Sequence, residues 1–142
     1  MKTLIKIYHG TTKRAARQMV NNMGPPHNID VSLGGGELGR GFYAGDSPSL
    51  AIAWAKGKGS NHMVIKIKIN LAEYIRLKIK NLDFKAVRSV YNAIKFTNAE
   101  RSYMFNVDVV TGPLVSYSHV TQYKFESKIA ESRLNNWNME VL

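Results

Sequence analysis

Short apolar runs alternate along the chain with clusters of glycine, proline and asparagine, and the spacing inside each run predicts its conformation. Leu4, Ile5, Ile7 and Tyr8 form a β-branched segment broken only by Lys6, which predicts a first strand ending at His9 and Gly10. Thr11 or Thr12 then serves as a helix N-cap for KRAARQMVNN, with Ala15, Met19 and Val20 facing inward and Asn22 and Gly24 marking the exit. The stretch Gly24 to Gly36 holds two prolines and four glycines and predicts a mobile loop of the kind used as a lid. Phe42 and Tyr43 make a short aromatic strand. Ser47 followed by Pro48 is an N-cap with proline at the first helical position, and Leu50, Ala51, Trp54 and Ala55 supply the helical spacing up to Gly57 or Gly59.

Two segments, Val64 to Ile69 and Ile75 to Lys80, alternate apolar residues with lysine or arginine and predict strands with one wet face. Phe84, Val87, Val90 or Tyr91, and Ile94 recur at helical period up to Phe96, which predicts a surface helix. Val107 to Val110 reads as a strand ended by Thr111, Gly112 and Pro113. Val120 to Phe125 reads as another, with Val120, Gln122 and Lys124 on one face and Thr121, Tyr123 and Phe125 on the other. Ser127 caps a last helix, KIAESRLNN, and no repeat or heptad appears. These elements sum to an α+β fold.

A length of 142 residues predicts one domain over 1–142, able to bury a core without metal or disulfide staples. Absence of cysteine excludes a disulfide framework, a thiolate nucleophile and any cysteine-containing zinc site. His27, His62 and His119 show no ligand spacing, so no metal is expected. No apolar run approaches the roughly 20 residues that span a bilayer, and Lys6 interrupts the N-terminal apolar run, so a cytoplasmic protein with no membrane partner is expected. Twenty Lys and Arg against ten Asp and Glu give a net charge of +10, which favours anionic partners: nucleic acid, a dinucleotide or an acidic protein. The lysines of the alternating strands also have a sufficient explanation as solvated faces.

Three pieces carry candidate chemistry: Tyr8-His9-Gly10-Thr11 at the end of the first strand, Gly39 to Trp54, and Thr121-Gln122-Tyr123. Together they resemble the ADP-ribosyltransferase superfamily, in its diphtheria-toxin and poly(ADP-ribose)-polymerase branch with a His-Tyr-Glu triad. They are also similar to small bacterial proteins that carry HGT or HGS, GxGFY with a downstream AxxWA, a DxVxGP strand and a late Gln-containing strand. The resemblance covers the first sixty residues well and the last forty in outline. It implies a single-domain ADP-ribosyltransferase-like fold, with a split mixed or antiparallel sheet and flanking helices around an NAD cleft.

The resemblance further implies site roles. His9 would meet the adenosine ribose hydroxyls, and the Gly10 backbone the nicotinamide carboxamide, with Thr11 nearby. Tyr43 and Trp54 would stack on the nicotinamide ring, Arg40 would contact the pyrophosphate, and His9, Tyr43 and Gln122 would stand as the triad. NAD is then a substrate and no metal is required. Where the family has glutamate this chain has Gln122, which offers a carbonyl but no negative charge. Chain elongation is therefore not expected. Glu126, on the same strand face, is the reserve carboxylate, and Ala51 stands where the polymerases place a serine that holds the carboxamide. The expected activity is transfer of one ADP-ribose from NAD to a macromolecule, with nucleic acid favoured over protein, in a bacterial or phage toxin or effector held in check by an acidic neutralising protein. Two alternatives stand beside it: a catalytically weak NAD- or ADP-ribose-binding domain of the same fold, and a basic ribonuclease-like toxin using His119 or His9 with Glu126 and lysines.

Overall fold

The computed structural model describes residues 5–20, 25–59 and 61–142, and within them the chain forms seven strands and five helices, an α+β protein. Leu4, Asn22 and Gly24, invoked above for the first strand and the first helix exit, lie outside the described residues. The chain divides into two compact units: the first draws on Met1–Ile29, Ala44–Arg76 and Ser132–Leu142, the second on Asp30–Tyr43 and Leu77–Glu131.

The first unit is organised by β1 (Ile5–Thr12) and β3 (His62–Ile69), which pair antiparallel over their whole length from Ile5 opposite Ile69 to Thr12 opposite His62. Ile7, Ile65, Ile67 and Ile69 are fully buried, while Lys66 and Lys68 lie between them on the wetter face, as period-two alternation requires. Thr12 caps α1 (Lys13–Met19) by accepting from the Ala15 amide at 3.1 Å. Ser47 caps α2 (Pro48–Lys56) in the same way through the Leu50 amide, with Pro48 at the first helical position and Gly57 at the C-cap. The end of β2 (Phe42–Gly45) meets β1 where Gly45 stands opposite Tyr8.

On its other edge β3 pairs with β7 (Asn138–Val141), which the sequence pattern did not predict. NMEV lacks alternation, and its position is held instead by register: Glu140 lies opposite Lys66, and its carboxylate reaches the Lys66 ammonium at 2.5 Å and that of Lys68 at 3.8 Å. The Lys66 hydrogen bond holds Glu140 below the ordinary glutamate range, and the same bond raises Lys66.

The alternation at Ile75 to Lys80 predicts one strand, and the structure divides it. Asn70 caps a single helical turn, α3 (Leu71–Tyr74), in which Tyr74 is buried, and Leu77, three residues on, is buried too, while Ile75 is 68% exposed. A spacing of three matches the helical face better than alternation does, so only β4 (Ile79–Asn81) remains extended.

In the second unit β4 runs parallel to β5 (Val109–Pro113), and β5 pairs antiparallel with β6 (Thr121–Phe125). The residues Thr111 to Pro113, expected to end a strand, are therefore part of one. Asp83 caps α4 (Phe84–Thr97) through the Ala86 amide at 2.8 Å, and Asn98 closes it in the left-handed conformation. Val87 and Ile94 are buried on this helix, and Val87 joins Leu38 and Val110 in a core that Tyr43, Leu82 and Phe105 extend. Ser127 accepts from the Ala130 amide at the start of α5 (Lys128–Leu134), as the sequence predicts.

The glycine- and proline-rich stretch ahead of β2 contains neither helix nor strand over its described residues. It is nevertheless tied down within each unit. In the first, Asn135 accepts from the Ile29 amide and donates to the Ile29 carbonyl. In the second, the Gly36 amide donates to the Glu100 carbonyl, and Arg101 donates to Leu33. Ile29 and Val31 are buried, which is the behaviour of a packed loop.

Candidate functional site

The residues singled out from the sequence fall in both units. His9, Gly10, Thr11 and Trp54 belong to the first, and Arg40, Tyr43 and Gln122 to the second.

In the first unit, His9 and Gly10 lie on β1 opposite Ile65 and Val64, with His9 half-buried and Thr11 buried. Gly10 has a clear packing reason to be glycine: a Cβ there would fall 2.2 Å from the Ala51 carbonyl oxygen and 3.1 Å from the Ala55 nitrogen. The backbone of α2 thus rests directly on β1, with Ala51 and Ala55 as the small residues that permit it, and Val64 and Tyr8 complete the cluster. Trp54, on the flank of α2 beside this contact, is 47% exposed. An exposed indole beside a small-residue contact is free to meet a planar ligand without repacking the core.

In the second unit, the approach to β2 is fixed by hydrogen bonds. The Tyr43 hydroxyl donates to the Gly39 carbonyl at 2.5 Å and accepts from the Leu38 amide at 2.9 Å, closing the turn around the Gly-Arg-Gly run. Burial, chiefly, pushes the Tyr43 hydroxyl far above the ordinary tyrosine range, so it stays protonated and keeps donating. Gly39 adopts a positive φ of 95° and lies against Tyr103, whose carbonyl accepts from the Arg40 amide at 3.0 Å. Arg40 is half-buried, and its Nε is buried without a hydrogen-bond partner among the described residues.

Two carboxylates, Glu126 and Glu37, bear on β6, and they differ in what already occupies them. Glu126, the reserve candidate, is 3% exposed and fully engaged: its oxygens accept from the Phe105 and Asn106 amides and from the Lys124 ammonium at 2.7 Å. Lys124 is itself completely buried, with its ammonium 5.0 Å from the Phe105 ring centroid, and burial pulls it below the ordinary lysine range. That ion pair holds the end of β6, and the face that carries Val120, Gln122 and Lys124 is buried.

The second carboxylate, Glu37, was not singled out from the sequence. Gln122 is 2% exposed, and its Nε2 donates to Glu37 Oε1 at 3.1 Å and to the Pro113 carbonyl at 3.2 Å. Glu37 Oε1 also accepts from the Val115 amide at 2.9 Å. Gln122 Oε1 is buried with no hydrogen-bond partner among the described residues. The available signal was an acidic residue immediately ahead of Leu38 and the Gly-Arg-Gly run, but nothing in the spacing tied it to a strand 85 residues away.

Of the remaining histidines, His119 lies edge-on to Tyr117 with ring centroids 6.3 Å apart, and His62 Nδ1 is 3.0 Å from the Gly59 carbonyl oxygen. Among the described residues no group of three or more His, Asp or Glu could hold a metal ion, and no helix is long and apolar enough to cross a membrane. Comparison of the chain with protein-family models and with curated proteins returns no match.

Proposed function

We propose that the chain is a mono-ADP-ribosyltransferase: it cleaves the nicotinamide glycosidic bond of NAD and transfers ADP-ribose to a macromolecular acceptor, nucleic acid in preference to protein. The observation that carries this reading is the order and local setting of the motifs. His9-Gly10-Thr11 ends a strand paired with the last residue of β2, the Gly-Arg-Gly-Phe-Tyr run leads into β2, Trp54 follows on a capped helix, and Gln122 stands inside a late strand. In this reading the fold is ADP-ribosyltransferase-like.

Each part has chemistry to perform. Departure of nicotinamide leaves positive charge on the ribose, as in glycoside hydrolysis, so the site must grip the leaving group and favour that cation. Tyr43 and Trp54 supply aromatic surface for the ring. Arg40, whose buried Nε has no partner among the described residues, supplies a donor for the pyrophosphate. A net charge of +10 favours a polyanionic acceptor and an acidic neutralising protein, which fits a bacterial or phage toxin or effector. Incubation with NAD labelled in the adenylate, together with cell lysate, followed by separate nuclease and protease digestion, tests the reading. Label on nucleic acid with stoichiometric nicotinamide release is expected; the absence of both label transfer and nicotinamide release would sink the reading.

A second reading, an NAD- or ADP-ribose-binding domain without turnover, is favoured by one observation. The Gln122 amide and the Glu126 carboxylate are both committed to protein partners. Calorimetry that detects NAD binding, combined with no nicotinamide release, selects it. The ribonuclease-like alternative gains nothing from Glu126, whose burial against Lys124 keeps it from acting as a base on a large substrate.

A further inference from the structure

We propose that Glu37 is the active-site carboxylate that β6 lacks, acting from the loop ahead of β2 with Gln122 as its positioning residue; this rests on the ADP-ribosyl-transfer reading. A catalytic carboxylate must be held in place and yet keep an oxygen open to substrate. Glu37 meets both conditions. Its Oε1 is anchored by two donors, the Val115 amide at 2.9 Å and Gln122 Nε2 at 3.1 Å. Its Oε2 makes no hydrogen bond among the described residues, and the side chain is only half-buried. Four other carboxylates are already employed: Glu126 on Lys124 and two amides, Asp83 as the cap of α4, Asp108 on the Lys78 amide and Ser127, Glu140 on Lys66.

Gln122 explains why the arrangement tolerates an amide on the strand. A glutamate at 122 would set a second negative charge about as close to Glu37 as the present amide nitrogen, 3.1 Å away, and the two could not both ionise readily. The amide instead donates to Glu37, fixes its orientation, and is itself fixed by the Pro113 carbonyl. The charge has moved from the strand to the loop, and the strand keeps the task of aiming it.

The reaction balances without a further reactant. The bond from ribose C1′ to the nicotinamide nitrogen breaks, and its electron pair leaves on nicotinamide. The Glu37 carboxylate faces the cation so formed. A hydroxyl or amino group of the acceptor bonds to C1′, its proton passes to Glu37 Oε2, and water then takes the proton from the protein.

The test compares wild type with Glu37→Gln in nicotinamide release, label transfer and calorimetric NAD binding. The amide oxygen of the variant can still accept from Val115, so a melting temperature close to wild type is expected. Removing the charge should lower kcat by about 10²- to 10³-fold while Kd for NAD moves less than about threefold. Glu37→Asp, which keeps the charge, should recover at least about tenfold of the lost rate. A wild type that turns over with Glu37→Gln within about threefold of it in kcat overturns this inference and leaves the transferase reading standing. If wild type releases no nicotinamide, the transferase reading fails and the inference with it. Should Glu37→Gln not fold, Glu37→Asp decides: a kcat at least about tenfold below wild type at unchanged melting temperature is expected, and an unchanged kcat overturns the assignment.

Discussion

A Cβ on Gly10 would stand 2.2 Å from the carbonyl oxygen of Ala51, so β1 and α2 touch backbone to backbone. Glycine at this point is required by packing inside the first unit, whatever ligand the neighbouring residues meet. Gly10→Ala is expected to lower unfolding stability by about 1–3 kcal/mol, towards the upper end because β1 is locked in register with β3 on its other side and cannot easily retreat. A urea midpoint equal to that of wild type would show that α2 yields freely.

The Tyr43 hydroxyl satisfies the Leu38 amide, and no other partner for that amide is seen among the described residues. Tyr43→Phe keeps the ring and removes the bond, leaving a buried donor unpaired at a cost of about 1–3 kcal/mol. Hydrogen exchange at Leu38 and Gly39 should quicken relative to the rest of the chain. If the ring stacks on nicotinamide as proposed, that stacking survives the change, and NAD affinity should fall less in Tyr43→Phe than in Tyr43→Ala.

Trp54 exposes 47% of its surface and lies outside the small-residue contact of α2. Trp54→Ala is therefore expected to leave stability within about 0.5 kcal/mol of wild type. If the indole stacks on the nicotinamide ring, the same change should weaken NAD binding by about 0.5–1.5 kcal/mol, between about twofold and tenfold in Kd. Calorimetry beside a melting curve separates the two effects, and equal losses in both would assign Trp54 to the core.

Lys124 and Glu126 are both buried and bonded at 2.7 Å. Lys124→Met leaves the carboxylate without its counter-charge and should destabilise by about 3–5 kcal/mol, whereas Lys124→Met with Glu126→Gln should lose less than the sum of the two single changes. The pH dependence has a definite sign. Burial lowers the Lys124 pKa in the folded chain, so between that lowered value and the ordinary 10.5 the unfolded chain binds more protons. Its contribution to stability therefore rises with pH across that window and is least favourable below it. Denaturation of wild type and Lys124→Met through the alkaline range should show stability rising with pH in wild type relative to the variant.

Much of the fold was legible because its signals are local. The caps at Thr12, Ser47 and Ser127, the lysine alternation of β3 and the helical period of α4 each arise from interactions within a few residues. What escaped was set by partners distant in sequence. NMEV becomes a strand because Glu140 finds Lys66 and the ladder of β3 lies open to it. Ile75 to Leu77 leaves the alternation, with Tyr74 buried in the first unit and Leu77 in the second. The candidate site follows the same division. His9, Gly10, Tyr43, Trp54 and Gln122 announced themselves through short motifs, but Glu37 has meaning only through Gln122, a residue 85 positions away that no local pattern could supply.

The segments from which each unit is drawn also set an order of events at the ribosome. Every residue of the second unit is synthesised before residue 132, whereas the first needs Ser132–Leu142 to cover the outer edge of β3. The strand array of the first unit, begun earliest with β1, is thus completed last, and until residues 138–141 emerge β3 carries an unpaired edge from Ile65 to Lys68. The nascent chain is most prone to wrong strand pairing in that interval.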